Sequence, residues 1–456
     1  MSNEIKKEEW PWKDAYGDYS MVPVPRHEKR SFSSIFYVYM GVLACIAVLW
    51  GGGTIGLQFS LKDAILVAVI GSAILAVIGG LTAPIGGIAG TSTYVNMRFP
   101  FGAIGSQVFG TIVAGIACGI GWFAVQAWLF GIIVHTLFPN AAWANVGVAA
   151  TWGGLLMIVT AIIGFKGLAW LSYLAVPFFM LIAGVGAMIG ISQGGGFAGL
   201  MSIQPQNPAP LNVGITQVVG MYIAGGIITA DISRYAKRAI GGAMGWVIQI
   251  IIFQVYMLTG SAMLMLATGA SDVAGALLAG GAGIGAFLMA ILGQWTTNDN
   301  NLYNGALSFN TWIHIKKQWI TLCEGLIGVG IAAWVGFSAG VSMDPFMKFL
   351  TLLGKILPAI GGVLIADFYI FRWYKKVPFK QRYKGKPGMK IALVNWVGWL
   401  SVGLGTWIGG WVIKWGIAAL NALVLGFVIY IVLAIIIDAA GMKLEVGEHT
   451  INEKGV

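Results

Sequence analysis

Charged side chains are scarce in this 456-residue chain: they make up 10% of it against 58% hydrophobic residues, with a mean hydropathy of +0.82. That is too little polar surface to coat one water-soluble globule of this size, so the chain is expected to dissolve in lipid. Its long apolar runs lack period-two alternation, which excludes a membrane β-barrel and leaves helices as the spanning units. Cysteine is rare too. Cys45, Cys118 and Cys323 lie in apolar segments without CxxC spacing, so neither disulfides nor zinc are expected, and buried small hydrophobes are the plain reading. With no HExxH, paired histidines or Ser/His/Asp set, an enzyme is not expected, nor any resident cofactor. His27, His135, His314 and His449 fall near span ends or in the tails and are assigned to no metal or proton relay. No short apolar stretch with a cleavage site precedes the first apolar run, near Ile35, so the charged, aromatic arm before it is expected to be retained.

What the chain has in abundance is apolar runs of spanning length. Twelve fall near residues 35–57, 64–81, 108–137, 146–164, 168–191, 213–232, 244–266, 276–307, 319–337, 350–371, 391–413 and 418–437, matching the roughly 20 residues that cross a bilayer core. An arm (1–34), a basic loop (372–390) and a tail (438–456) flank them, with no soluble domain or low-complexity tract. The net charge of +10 is unevenly placed. With both termini on one side, that side receives Lys6, Lys7, Lys13, Arg26, Lys29, Arg30, Arg98, Lys166, Arg234, Lys237, Arg238, Lys316, Lys317 and the cluster from Arg372 to Lys390, while Lys62, Lys348, Lys355 and Lys414 lie opposite or near it. The positive-inside rule then predicts a multi-pass protein of the plasma membrane with both termini cytoplasmic. Residues 372–390 could also be read as a basic nucleic-acid surface, but topology already accounts for their charge, and no nucleic-acid partner is expected.

Many of the 67 glycines lie inside the spans, where small residues let helix backbones approach. Two groups stand five helices apart, at corresponding places in two five-helix halves: Trp50-Gly51-Gly52-Gly53 in span one and Gly225-Gly226 in span six. They are expected to interrupt their helices at mid-bilayer, where freed carbonyls and half-helix ends can hold an ion and a substrate. The competing reading is that both are packing contacts.

Span eight carries a dense polar run, Gln294-Trp295-Thr296-Thr297-Asn298-Asp299-Asn300-Asn301. Gly293, Thr296 and Thr297 share one helical face, and two hydroxyls with a nearby carbonyl offer hard oxygen ligands suited to sodium; the alternative is threonines bonding back to their own helix. In span three, Trp122 and Gln126 lie one turn apart, an aromatic plate beside an amide that can donate and accept. Tyr222 in span six could supply a second plate, so a planar heterocycle would stack between rings while Gln126 and Asn298 read its edge. Met221 and Cys45 are counted with these substrate-facing candidates. The alternative for Trp122 is packing or an interfacial anchor. Asp231 and Arg234 close span six, where a structural pair or helix-end role is expected. Glu324, Asp367 and Lys355 are intramembrane charges and so flags for function, though Lys355 could simply snorkel outward.

In order and spacing these residues resemble the nucleobase:cation symporter-1 family, of the purine-cytosine permease type. The anchors run from Asp18-Tyr19-Ser20 through Arg98-Phe99-Pro100-Phe101-Gly102, Gly121-Trp122-Phe123, Asp231-Ile232-Ser233-Arg234-Tyr235, Trp295-Thr296-Thr297-Asn298-Asp299-Asn300 and Ala366-Asp367-Phe368-Tyr369 to Asn395-Trp396-Val397. The stretch around Trp295 is most like the family's cytosine permeases. The resemblance implies an all-α membrane protein with a leucine-transporter-type 5+5 inverted repeat (35–192 and 213–371), two C-terminal helices (391–437), and uptake coupled to a cation. It matches Trp122 and Tyr222 to the stacking aromatics, Gln126 and Asn298 to substrate-facing amides, Gly41, Ala44 and Gly293 to carbonyl donors of a sodium site, and Thr296 and Thr297 to its hydroxyl donors. Three departures stand out: Gly119 replaces a glutamine and Gly293 an asparagine of cytosine permeases, and Tyr222 replaces a phenylalanine or tryptophan. The expected partners are thus a small nucleobase-like substrate, a coupling cation (sodium or proton) and the lipid bilayer, with permeases for allantoin, hydantoin, uracil or thiamine as alternatives. An ion channel would require a continuous polar pore and repeated filter segments, neither of which is visible.

Overall fold

The computed structural model describes residues 13–14, 19–163, 167–313, 315–377, 387–442, 449–452 and 454, with backbone alone at 163, 167–173, 290, 291, 294 and 296. Lys6, Lys7, Asp18, Lys166, His314 and the middle of the basic loop, all weighed above, lie outside the described residues, as does the side chain of Thr296.

Eight described helices are long and apolar enough to cross a bilayer, nine when the bent pair Phe32–Leu43 and Ile46–Gln58 counts as one. Three more helices complete the expected twelve spans: Val146–Ile163, the polar Gly283–Phe309, and Trp396–Trp407 continued by Ile408–Val412. In chain order, the others are Leu61–Ala89, Thr93–Leu137, Gly167–Gln193, Leu211–Ser233, Ala239–Thr268, Lys317–Ser338, Asp344–Tyr374 and Ala418–Ala439.

Span one is broken, but not at its glycines. The first half, capped by Ser31, which accepts from the Ser34 amide, ends at Leu43; the second begins at Ile46 at an angle of 55°. Cys45 is extended (φ −137°, ψ 162°). Its amide turns to Leu43 O at 2.8 Å instead of Gly41 four residues back, and so the Gly41 carbonyl is released from the helical ladder. Gly51, Gly52 and Gly53 sit inside unbroken helix, which corrects the expectation that they interrupt it. Close packing is the reason. A Cβ on Gly52 would stand 2.5 Å from Leu258 O, one on Gly56 would be closer still to Ala262 O, and one on Gly51 would overlap the Met221 methyl group. The glycines let span one lie backbone to backbone on span seven, where Ser261 Oγ also donates to Leu49 O at 2.6 Å.

Span six likewise stays helical through Gly225 and Gly226, and departs from helix at Ile228 (φ −88°, ψ 13°) before a last turn, Thr229–Ser233. Backbone exposed at that depth must find a partner. Thr82 of span two provides one: its hydroxyl is 2.6 Å from Gly226 O and 2.7 Å from Thr229 Oγ1, while Tyr39 Oη donates to Thr229 O at 3.2 Å.

The Arg98–Gly102 segment begins span three and has a structural task. At Gly102 the helix kinks with φ 82°, a region that favours glycine, and an added Cβ would meet Leu393 O at 2.7 Å and Asn395 N at 2.8 Å. The chain entering span eleven docks there: the Asn395 amide donates to Phe101 O (3.0 Å), its Nδ2 to Phe99 O (3.2 Å), and Trp399 Nε1 to Phe101 O (3.1 Å). Two anchors far apart in sequence are thus one joint.

The chain ends meet on one face. Val24 N donates to Gly90 O (2.8 Å), Arg30 N to Tyr235 O (2.6 Å) and Lys237 N to Arg30 O (3.0 Å). Strands Lys390–Ile391 and His449–Thr450 pair antiparallel, bringing the basic loop to the tail.

Candidate functional site

Where spans one and six leave regular helix, spans three and eight close the other two sides of a small buried cavity of about 50 Å³. Span one contributes Val42, Cys45, Ala47 and Val48; span three, Cys118, Trp122 and Gln126; span six, Met221, Tyr222, Ala224, Gly225 and Ile228; span eight, Thr297, Asn300, Asn301 and Asn304. Five of the six substrate candidates therefore share one cavity: Trp122, Gln126, Tyr222, Met221 and Cys45.

Trp122 is 8% exposed and meets Phe346 and Phe349 of span ten edge-on, at centroid distances of 6.3 and 5.3 Å. It ends a π-helical stretch, Thr111–Trp122, an irregularity frequent at functional sites and one that resets the direction of the side chains following it. Tyr222 lies flat on Trp246 of span seven (5.2 Å, interplanar angle 7°). Trp246 is locked by an Nε1 bond to Leu75 O at 2.9 Å, so one face of Tyr222 is occupied. In the same lining Gln126 is fully buried, and its Nε2 and Oε1 make no close hydrogen bond among the described residues, with only the weak Cys45 thiol against them. An amide left this way is costly unless something else satisfies it.

Asn298 is placed differently. Its Nδ2 donates to Phe123 O (3.4 Å) and contacts Met157 Sδ (3.1 Å), while its Oδ1 accepts from Asn301 (3.2 Å). It braces span eight against spans three and four, outside the cavity lining. The amides that do line the cavity are Asn300, Asn301 and Asn304. With Thr297 they form an i, i+3, i+4, i+7 stripe that helical spacing alone could have picked out.

Of the sodium-site candidates, Gly41 and Ala44 stand at the break in span one and Gly293 packs against the residue just after it. Gly293 packs where its Cβ would lie 3.3 Å from Ile46 and against Phe179, so the span-eight face bearing it abuts the residue just after the break. Thr297 is 6% exposed and its Oγ1 has no partner among the described residues; it does not bond back to its own helix. A buried hydroxyl without a partner is the kind of oxygen a hard monovalent cation takes.

A family described as permeases for cytosine/purines, uracil, thiamine and allantoin matches residues 23–433. The chain is 30% identical to the cytosine permease of Escherichia coli (strain K12) over 416 residues, 91% of this chain and 94% of that one. The chain belongs to this permease family. It is also 23% identical over 404 residues to the hydantoin permease of Microbacterium maritypicum, covering 82% of this chain and 80% of that one. In fold it resembles Mhp1, described as a nucleobase-cation-symport-1 family transporter: TM-score 0.74 and 18% identity with the closed, bromovinylhydantoin-bound form (93% of this chain, 96% of that one), and 0.73 with the inward-facing form (93% and 94%). The fold is the all-α, leucine-transporter-type inverted repeat with two further helices.

On the side of this permease opposite its arm, a vestibule of about 740 Å³ is lined by Gln58, Gln217, Asp344, Lys348, Thr351, Lys355 and Trp411, among others. Lys355 faces it, with its Nζ 5.5 Å from the Trp411 ring centre. Asp367 accepts from Tyr430 Oη at 2.7 Å, tying span ten to span twelve. Asp231 Oδ1 accepts from Thr93 N (2.7 Å) at the start of a helix, and Arg234 donates to Asp231 O (3.1 Å) and Tyr19 O (2.5 Å); both are helix-end braces. Cys45 and Cys118 are buried, but Cys323 is exposed on the outer surface of span nine, which corrects its reading as buried.

Proposed function

We propose that this permease is a symporter that imports a nucleobase or related planar heterocycle, such as cytosine or a purine, across the plasma membrane and is driven by a cation. The supporting observation is the Gln126 amide, buried with only the weak Cys45 thiol against it and no close hydrogen bond among the described residues, in the lining that also holds Trp122 and Tyr222. A flat ring bearing adjacent donors and acceptors would stack on the aromatics and satisfy that amide, with Asn300, Asn301 and Asn304 reading its other edges. Both termini lie in the cytoplasm, as the basic residues on the arm face favour, and the vestibule then opens outward.

Sodium held by the Gly41, Ala44 and Gly293 carbonyls and the Thr296 and Thr297 hydroxyls would fasten span one to span eight and favour the outward-open state. A ligand shifts such a balance only by preferring one state. Substrate between Trp122 and Tyr222 then favours closure, and rocking of one bundle of the two repeats, 35–192 and 213–371, against the other exposes it inward.

Purified protein screened by thermal shift against cytosine, uracil, purines, hydantoins, allantoin and thiamine, each with and without sodium, tests this. At least one heterocycle should stabilise the protein, more so with sodium present. Trp122→Ala should weaken that binding by roughly 5- to 150-fold, the worth of about 1–3 kcal/mol of stacking, while still inserting. Undiminished binding by that variant removes the substrate site. Non-saturating flux at channel rates would favour a channel instead.

A further inference from the structure

We infer that Glu324 is a proton-binding site of the transport cycle, exchanging with the central cavity so that protonation and substrate binding favour one another; this rests on the importer reading above. Glu324 lies in span nine, 2% exposed. Its carboxyl fills a slot where Gly119 of span three and Gly305 of span eight cross without side chains. A Cβ on Gly119 would stand 2.5 Å from Oε2 and 3.0 Å from Gly305 Cα, and one on Gly305 would collide with the same oxygen. Neither carboxyl oxygen makes a close hydrogen bond among the described residues. The slot is therefore shaped for the group, and what answers a negative charge there is the Ala306 backbone amide and, at longer range, Lys317; with no closer hydrogen bond, burial still leaves a carboxylate costlier than the acid.

The slot is one residue behind the substrate cavity. Cys118 and Asn304, the chain neighbours of the two glycines, line that cavity. Few other titratable groups surround the carboxyl. Cys118 faces it from span three, whose second half adds only His135 near the far end. Lys317 is two turns away on its own helix, with its Nζ 3.4 Å from the centre of the Tyr303 ring of span eight. Asp299 of span eight is bonded to Thr160 at 3.5 Å, and span four has no ionisable residue between 146 and 163.

When the cavity opens to one side, water reaches Cys118 and Asn304, and the carboxyl behind them can lose its proton to that water. A flat substrate then displaces the water that solvates the anion, so binding draws a proton back. By linkage the reverse holds equally. Affinity is thus highest in acid and falls as pH rises through the titration of Glu324, by up to about tenfold per pH unit for one proton taken up.

Two measurements on the purified full-length protein decide this. In substrate-free protein the infrared C=O band of a protonated carboxyl should be present at neutral pH and lost in Glu324→Gln; a spectrum unchanged by the substitution overturns the proton site. In calorimetry with cytosine in buffers of different protonation enthalpy, wild type should take up protons on binding, whereas Glu324→Gln should take up none and bind with pH-independent affinity. Proton uptake undiminished in the variant overturns the coupling. Should Glu324→Gln not fold, Glu324→Met, which fills the slot without titrating, replaces it. If neither cytosine nor any heterocycle of the panel binds, the importer reading fails, and the infrared result still decides the proton site.

Discussion

Replacing Gly52 by alanine tests how the wall of the cavity is held. The new Cβ would stand 2.5 Å from Leu258 O and 2.8 Å from Leu258 Cα, where ordinary contact begins at 3.4 Å. Both obstacles are backbone, so no side chain can swing away, and span one must retreat from span seven by roughly 1 Å or bend. Overpacking of this kind costs about 1–3 kcal/mol, more than the up to ~1 kcal/mol that alanine gains over glycine in a helix. The retreating helix carries Ala47 and Val48, which line the cavity. A site displaced by about 1 Å can lose on the order of a hundredfold in function, so heterocycle binding should suffer along with stability. Gly330→Ala and Gly403→Ala are the controls, since nothing lies within 4 Å of either added carbon; they should be neutral or slightly stabilising. The readouts are thermal unfolding of purified protein and binding of whichever heterocycle the panel identifies. A Gly52→Ala protein as stable as the controls, binding within about twofold of wild type, would show that the two backbones do not touch as described.

Thr82→Val keeps the shape of the side chain but strips the hydroxyl from Gly226 O and Thr229 Oγ1. About 0.6–2 kcal/mol of stability should go with it, seen as a lower unfolding temperature, whereas Ser338→Ala, which removes only a bond to the variant's own helix, should not register. Burial, and then the nearby Arg98 guanidinium, hold His449 below its ordinary 6.5. A base so depressed contributes stability that is present above that value and lost as pH falls toward its folded value. The Ile391–His449 pairing should therefore loosen in acid, with faster hydrogen exchange at the Ile451 amide, bonded to Met389 O at 2.9 Å, at about pH 5 than at about pH 7 once intrinsic exchange is corrected; equal protection at both would contradict it.

The twelve spans were legible because run length and apolarity are properties of composition, which tertiary contacts do not overrule in lipid. That Trp122 and Gln126 line one cavity was legible for a similar reason: they are one turn apart, so local spacing already puts them together. The breaks were not. Glycine weakens a helix in water, but in a bilayer its lack of a side chain serves as readily to bring two backbones together. Gly51, Gly52 and Gly56 follow the second use, facing Met221, Leu258 and Ala262. The break in span one falls at Ala44-Cys45, which contains neither glycine nor proline and so gave no local sign. What marks it lies elsewhere in the chain, in the Gly293 face that packs on Ile46. Asn298 stands outside the cavity lining because helical spacing turns it elsewhere: a stripe from Thr297 points to Asn300, Asn301 and Asn304 and leaves Asn298 facing Phe123 and Met157. Gly119 shows the limit most sharply. In the sequence it was only a departure from the resemblance, yet beside Gly305 its missing side chain makes the room that Glu324 occupies, because what a bare backbone at a helix crossing accommodates is set by the third helix that packs there.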